Sequence, residues 1–277
     1  MTHQYWYITN ADEINVIRAN PHPRGTLTIE GAAQLRDFVN VCAGAESVAP
    51  LVVEIDIESA ELEEVRQMAE GRPIKDWAPW VSAIAALDQY PSLVVAAIPR
   101  RASCGGLELA LAADLRIARH DATLGLFESR MGILPGAGGT QRLPHLVGFG
   151  HATELILSGA PISGARAADI GLVEHLDEDP MSRAVAITQA CWANGSEVLT
   201  TAKRAIRAAA TRSEDGYRVE GKSFLHLVNQ PTAHKKIAEW LARPELSGRD
   251  TTALEVHRTF ESERLNEPLR QTPKSTK

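Results

Sequence analysis

Apolar residues along the chain fall into two rhythms. Short runs predict strands: Ile14–Arg18 (INVIR), Leu51–Ile57 (LVVEIDI), Leu93–Ile98 (LVVAAI) and Leu115–Ala118 (LRIA). The unbroken run at 93–98 is the kind buried on both faces of a sheet. Other segments carry helical spacing, as in Thr28–Cys42, where Ala32, Leu35, Phe38 and Val39 fall on one face. Helices are likewise predicted over Trp77–Leu87, Leu107–Ala113 and Thr140–Val147, and over the acidic stretch Glu58–Glu70. Asn20–Arg24 (NPHPR) is turn chemistry, and glycines interrupt the pattern at Cys104-Gly105-Gly106 and across Gly132–Gly139. The alternation of strand and helix from 51 to 147 predicts βαβ-type units and an α/β fold. After Pro180 the pattern is wholly helical, with pieces at Lys203–Ala210, Phe224–Val228 and Ala233–Ala242. From Glu263 the tail (ERLNEPLRQTPKSTK) is polar and proline-containing, and disorder is expected there.

Composition narrows the function classes. The 277 residues can bury a substantial core, and 44% hydrophobic with 23% charged is ordinary for a globular protein. A net charge of −6 and a pI near 5.9 argue against nucleic acid as the main partner. Cys42, Cys104 and Cys191 are odd in number, widely spaced and without a CxxC, which fits neither a disulfide framework nor a zinc site. The N-terminus shows no signal-peptide pattern and no apolar run reaches membrane-spanning length, so a cytoplasmic location is expected.

Three segments carry candidate chemistry. At Cys104-Gly105-Gly106-Leu107-Glu108 a buried strand gives way to a helix through two glycines. Helix N-termini expose unpaired N–H groups that suit an oxyanion, and Glu108 would stand close by. Taken by itself, this is more simply a strand-to-helix turn with an acid favouring the helix dipole. Glu128 sits among apolar residues and glycines, where a carboxyl can act as a general acid, although a surface carboxylate paired with Arg130 is the simpler reading. Leu134–Leu143 (LPGAGGTQRL) suggests a phosphate cradle but lacks the lysine of GxxxxGK[ST] and the GxGxxG spacing, so it reads as a loop packing a helix beside the site. No metal-binding histidine set and no GxSxG elbow occurs. Cys104 reads as a small apolar packing residue rather than a nucleophile.

Taken together, GGLELALAADLRIA, LGLFESRMGILPGAGGTQRLPHLVG and the ILSG…ARAADIGLV segment resemble the crotonase (enoyl-CoA hydratase/isomerase) superfamily, most closely over Leu93–Val173 and more weakly from Ile14 to Pro244. The resemblance implies a crotonase-like spiral of ββα units over 1–180, a C-terminal helical region over 181–262 for lid and oligomer contacts, and a tail over 263–277. It implies an acyl-CoA or pantetheine thioester substrate, a homotrimer or hexamer, and two catalytic glutamates, here Glu108 and Glu128. Gly105 matches the oxyanion-hole glycine. The sequence departs from the family in three places: the expected AFSAGAD-like segment is Ile57-Glu58-Ser59-Ala60-Glu61-Leu62, the residue before the second glutamate is Phe127 instead of proline, and Pro99-Arg100 replaces Asn-Gly. The alignment puts the other oxyanion donor at the Glu58 backbone, with Ser59 or Ala60 as alternatives. Ala60, Gly106, Phe127 and Gly136 are the expected substrate contacts, and Arg100 and Arg101 could meet carrier phosphates or stay solvated.

The implied activity is a lyase of fatty acid metabolism: an enoyl-thioester hydratase needing no metal or redox cofactor, with CoA or an acyl-carrier's phosphopantetheine as substrate carrier. Two alternatives stay open. One is another crotonase reaction (isomerisation, dehydration, decarboxylation or thioester hydrolysis), and the other is a non-catalytic acyl-thioester-binding subunit. A nucleotide-dependent enzyme using Gly136–Gly139 is disfavoured by the incomplete motif.

Overall fold

The computed structural model describes residues 5–19, 28–57, 67–72, 77–209, 221–222 and 224–242. Its main sheet has six strands in the order β1-β2-β3-β4-β6-β9. These are β1 (Trp6–Ala11), β2 (Ile14–Ala19), β3 (Leu51–Glu54), β4 (Val94–Ile98), β6 (Leu115–Ala118) and β9 (His175–Leu176). All neighbours are parallel except the β1–β2 hairpin. That hairpin turns on Asp12 and Glu13, both with positive φ, as a two-residue primed turn requires. β1 was not read from the sequence because Asp-Glu lacks the usual Asn-Gly or Asp-Gly signature. A second sheet holds β5 (Arg101–Ser103), β7 (Thr123–Gly125) and β8 (Ile162–Ser163), in that order.

The two sheets explain why the strand expected over 51–57 stops at Glu54. Beyond it the chain crosses to the second sheet, where Ile57 makes a lone parallel bridge to Ala102. The same step recurs from β4 to β5 across Pro99-Arg100, and from β6 to β7. Each of these steps carries the chain from the main sheet to the second one.

Helix α1 (Ile29–Ala43) starts at a Thr28 cap whose hydroxyl accepts the Gly31 N–H at 2.8 Å. It packs with α2 (Ala78–Asp88) over one face of the main sheet. Helix α3 (Gly105–Ala112) includes both glycines expected to form the turn before it. Helix α4 (Gly139–Ser158) runs past the expected end at 147 as two segments broken at Gly148, whose φ is 76° and ψ 161°. Next come α5 (Gly164–Asp169), α6 (Pro180–Trp192), α7 (Ser196–Ala209) and α8 (Pro231–Leu241). On α6, Met181 and Ala184 share a buried cluster with Ile14, Val16, Val52, Val95 and Ile117, so the helical region expected from 181 begins inside the sheet's own core.

Met1–Trp240 form one compact unit and Leu241–Lys277 a second, of which only Leu241 and Ala242 are described. The expected tail at 263–277 and most of the helix expected at 58–70 lie outside the described residues. No helix among the described residues is long and apolar enough to cross a membrane.

A buried cation links β6 to the segment leading into β9. Arg116 on β6 is 1% exposed and donates to the carbonyls of Ala113 and Leu172, both at 2.9 Å. Its guanidinium also pairs with the Glu174 carboxylate, which accepts the Arg116 N–H at 2.7 Å. A buried charge persists only with partners of this kind.

Candidate active site

Register in the second sheet turns a distance in sequence into proximity in space. β5 and β7 run parallel, with Ser103 opposite Gly125, and the Cys104 N–H donates to the Gly125 carbonyl at 2.9 Å. The chain leaves β5 into α3 and β7 into a short 3-10 helix, Glu128–Met131. Gly105–Glu108 and Phe127–Glu128 therefore emerge at the same end of the sheet.

The start of α3 has room only for hydrogen at its first two positions. A Cβ on Gly105 would lie 2.0 Å from Cζ2 of Trp80, and one on Gly106 would lie 2.8 Å from the Ile57 carbonyl oxygen. The helix thus presses against α2 on one side and on the other against Ile57, the residue before Glu58. Glu58, Ser59 and Ala60, where the second oxyanion donor and one substrate contact were expected, lie outside the described residues.

Glu108, on the first turn of α3, is 1% exposed. Its Oε1 accepts the N–H of Ala137 at 2.8 Å and of Gly139 at 2.9 Å. The glycine loop that suggests a phosphate cradle in the sequence therefore cradles a carboxylate of its own chain. Gly138, with φ of 112°, makes the turn that aims these N–H groups at one point, and Gly139 opens α4. Arg142, buried on α4, braces the loop by donating to the Ala137 carbonyl at 3.0 Å and reaches Asp88 at 3.4 Å.

Glu128 is also buried, as the first residue of the 3-10 helix, which removes the reading of a surface carboxylate. Arg130 reaches the Ser158 carbonyl, at 3.1 Å. The thiol of Cys104, at the N-terminus of α3, lies within the fields of both acids. Burial pushes that thiol well above the usual cysteine range, and the charges of Glu128 and, less strongly, Glu108 raise it further.

Aromatic rings surround this centre. Phe127 rests on Gly125, where a Cβ would meet its ring at 2.2 Å, and its centroid is 6.4 Å from that of Trp240. Phe224 covers Gly136 and stacks on Trp77 at 5.2 Å, and Trp77 stands 6.1 Å from Trp80. Phe127 and Gly136, both expected substrate contacts, thus belong to this aromatic surround, while Gly106 stands at the start of α3. Trp77, Trp80, Phe224 and Arg142 went unassigned in the sequence. The i, i+3 pairing of Trp77 and Trp80 just ahead of a buried strand was the one available signal. Arg100 pairs with Asp56, at 2.8 and 2.5 Å, and Arg101 lies 3.9 Å from the same carboxylate.

Two sheets fed by successive steps of the chain from one to the other, with a glycine-started helix directly after β5, form a crotonase fold. The family model for enoyl-CoA hydratase/isomerase matches residues 60–243, and the chain belongs to that family. The Bacillus subtilis (strain 168) protein YngF is 42% identical over 168 residues, 60% of this chain and 65% of that protein. Human mitochondrial methylglutaconyl-CoA hydratase is 42% identical over 123 residues, 43% of this chain and 35% of that protein. The matches thus span less than two thirds of these curated relatives' own length. Among solved structures, enoyl-CoA hydratase from Bacillus anthracis superposes with a TM-score of 0.67 at 27% identity, covering 94% of this chain and 97% of that one.

Proposed function

We propose that this protein is an enoyl-thioester hydratase, adding water across the 2,3-double bond of an acyl group carried by CoA or by an acyl-carrier's phosphopantetheine. One observation supports this reading most: two buried carboxylates, Glu108 and Glu128, come to the same sheet end as Gly105, one of them anchored by two main-chain N–H groups. Isomerisation or decarboxylation needs a single acid or base, whereas hydration uses one group for the water and one for carbon.

In this mechanism the thioester carbonyl accepts the Gly105 N–H and a second N–H from the Glu58–Ala60 segment. Such a donor is typically worth about 10²–10³ in rate. One glutamate takes a proton from water as its oxygen bonds to C3, and the C2=C3 electron pair moves onto the carbonyl oxygen as an enolate. The other glutamate delivers a proton to C2 as the carbonyl re-forms. With Oε1 of Glu108 held by the loop, proton transfer falls to Oε2. Phe127, Trp240, Phe224 and Trp77 supply the apolar surround that keeps bulk water from the enolate.

We further propose assembly as a homotrimer or hexamer, to be checked by mass in solution at micromolar concentration. The activity is tested by incubating the protein with a panel of 2-enoyl and 3-hydroxyacyl thioesters and reading gain or loss of water by mass spectrometry. Turnover of none of them, with binding retained, would sink the hydratase reading.

A further inference from the structure

The loop that holds Glu108 is rich in conformational freedom, and one arginine removes it. Gly136, Gly138 and Gly139 surround Ala137, and Gly138 has φ of 112°, so the chain here has several settings of similar energy. The two N–H groups that reach Oε1 of Glu108 belong to Ala137 and Gly139. The peptide between them, Ala137–Gly138, presents its carbonyl to Nη1 of Arg142 at 3.0 Å. Turning that peptide changes ψ of Ala137 and φ of Gly138, two of the angles that aim both N–H groups at one oxygen. Arg142 stands in the first turn of α4, 3% exposed, and its backbone N–H donates to the Gly138 carbonyl at 2.8 Å. Its side chain therefore folds back over the loop that its own backbone continues.

A buried guanidinium is costly, and an apolar side chain of similar length would fill the space without that cost. The compensating carboxylate is Asp88, whose Oδ2 lies 3.4 Å from Nη2 of Arg142. Asp88 ends α2, where a carboxylate opposes the helix dipole. Its Oδ1 accepts Nη1 of Arg207 at 3.1 Å. Arg207, on α7, also pairs with Asp114 at 2.9 Å, and Asp114 accepts the Val94 N–H of β4 at 2.9 Å. A buried cation and an acid at a helix C-terminus, each unfavourable by itself, thus meet in one chain of contacts that ends at the Glu108 cradle.

We propose that Arg142 is a positioning residue for Glu108: it locks the Ala137–Gly138 peptide so that the N–H groups on either side hold Oε1 and leave Oε2 set for proton transfer. Asp88 fixes the guanidinium, and Arg207 fixes Asp88 from α7. The setting of the Glu108 carboxylate therefore depends on the docking of α7, although Glu108 and the loop around it lie on other elements. Arg142 touches no reacting atom and acts through the main chain of the loop.

This inference rests on the reading of Glu108 as a proton-transfer group, and two measurements keep the two separable. Arg142→Met, Arg142→Lys, Asp88→Asn and Arg207→Gln are compared in the full chain, each alone and combined with Glu108→Gln. One measurement is kcat and KM with a short 2-enoyl-CoA, and the other is deuterium uptake by mass spectrometry over residues 135–141. Arg142→Met should fall about 10- to 100-fold in kcat with KM within about threefold, as for a misplaced reacting group. Lysine, which keeps the charge and a donor for the carbonyl, should recover part of that loss. Asp88→Asn and Arg207→Gln should lower kcat by about three- to tenfold. With Glu108→Gln no carboxylate is left to aim, so each change should then shift kcat by less than about twofold, whereas damage to packing would add in full. Uptake over 135–141 should rise in Arg142→Met and fall back in Arg142→Lys. Unchanged uptake in Arg142→Met, or an equal loss of kcat with and without Glu108→Gln, would overturn the proposal. Where the double variants are too slow to measure, the split between kcat and KM and the lysine rescue decide together with uptake. Asp88→Asn carries the test if methionine folds poorly. Uptake that rises as expected in a protein that hydrates none of the thioesters would overturn the hydratase reading and leave the role of Arg142 in the loop standing.

Discussion

The carboxylate cradle around Glu108 makes the strongest quantitative prediction. Glu108→Gln preserves shape and leaves an amide oxygen to accept the Ala137 and Gly139 N–H groups, which now stand 2.8 and 2.9 Å from Oε1. Bonds to a charged acceptor contribute about 1.5–3 kcal/mol each and neutral ones about 0.5–1.5, so the folded state should lose about 1–3 kcal/mol in total. Glu108→Ala instead strands two buried N–H groups and empties a site 1% exposed. At about 1–3 kcal/mol for each stranded group, roughly 2–6 kcal/mol is lost. Urea unfolding with a fixed m-value checks both numbers. Kinetics adds the functional half: glutamine cannot carry the proton, so kcat should fall about 10²–10⁴-fold with little change in binding of a saturated acyl thioester. Glu128→Gln should do the same, and the double variant should be little worse than either single one, as for groups acting as a unit. Equal stability of the alanine and natural proteins would show that the cradle is not made. Unchanged turnover of the glutamine variant would show that Glu108 carries no proton.

Other sites make separate predictions. Gly105→Ala should cost stability as well as turnover, because the new Cβ would overlap Trp80 at 2.0 Å, and trimming the ring by Trp80→Leu in the same chain should restore the melting temperature before the activity. Arg116→Met should cost about 3 kcal/mol by urea unfolding, since Glu174 loses its buried partner yet can still reach water; a change below ~0.5 kcal/mol would refute its anchoring role. Stability should decline as pH rises above about 8.5, because burial raises Cys104, Cys42 and Tyr90 in the folded state while the unfolded chain releases those protons at ordinary pH values. Stabilisation present below the unfolded pKa values is lost above them, so urea midpoints at pH 7.5, 9 and 10.5 should fall in order, less steeply for Cys104→Ser, whose hydroxyl does not titrate.

What the sequence determined by itself was local and periodic. The run Leu93–Ile98 could only be a doubly buried strand, and Thr28 followed by helical spacing could only begin a helix; both stand in the structure within a residue. The segments around Glu108 and Glu128 carried enough joint pattern to imply the family before any coordinates. Three-residue strands such as β5 and β7 were invisible, because so short a run has no periodicity of its own and exists only through its partner's hydrogen bonds. Yet those strands bring the two glutamates together. The sequence likewise offered the Gly136–Gly139 loop as a phosphate cradle that failed its motif, whereas packing shows that its N–H groups face Glu108. Cys104 looked like an ordinary small core residue, since φ is not written in a residue's identity. Only the hydrogen bonds on either side of it, imposed by sheet and helix at once, drive it into a glycine conformation. Periodicity fixes which faces are buried, and the pairing of distant segments decides which polar groups those buried faces bring into contact.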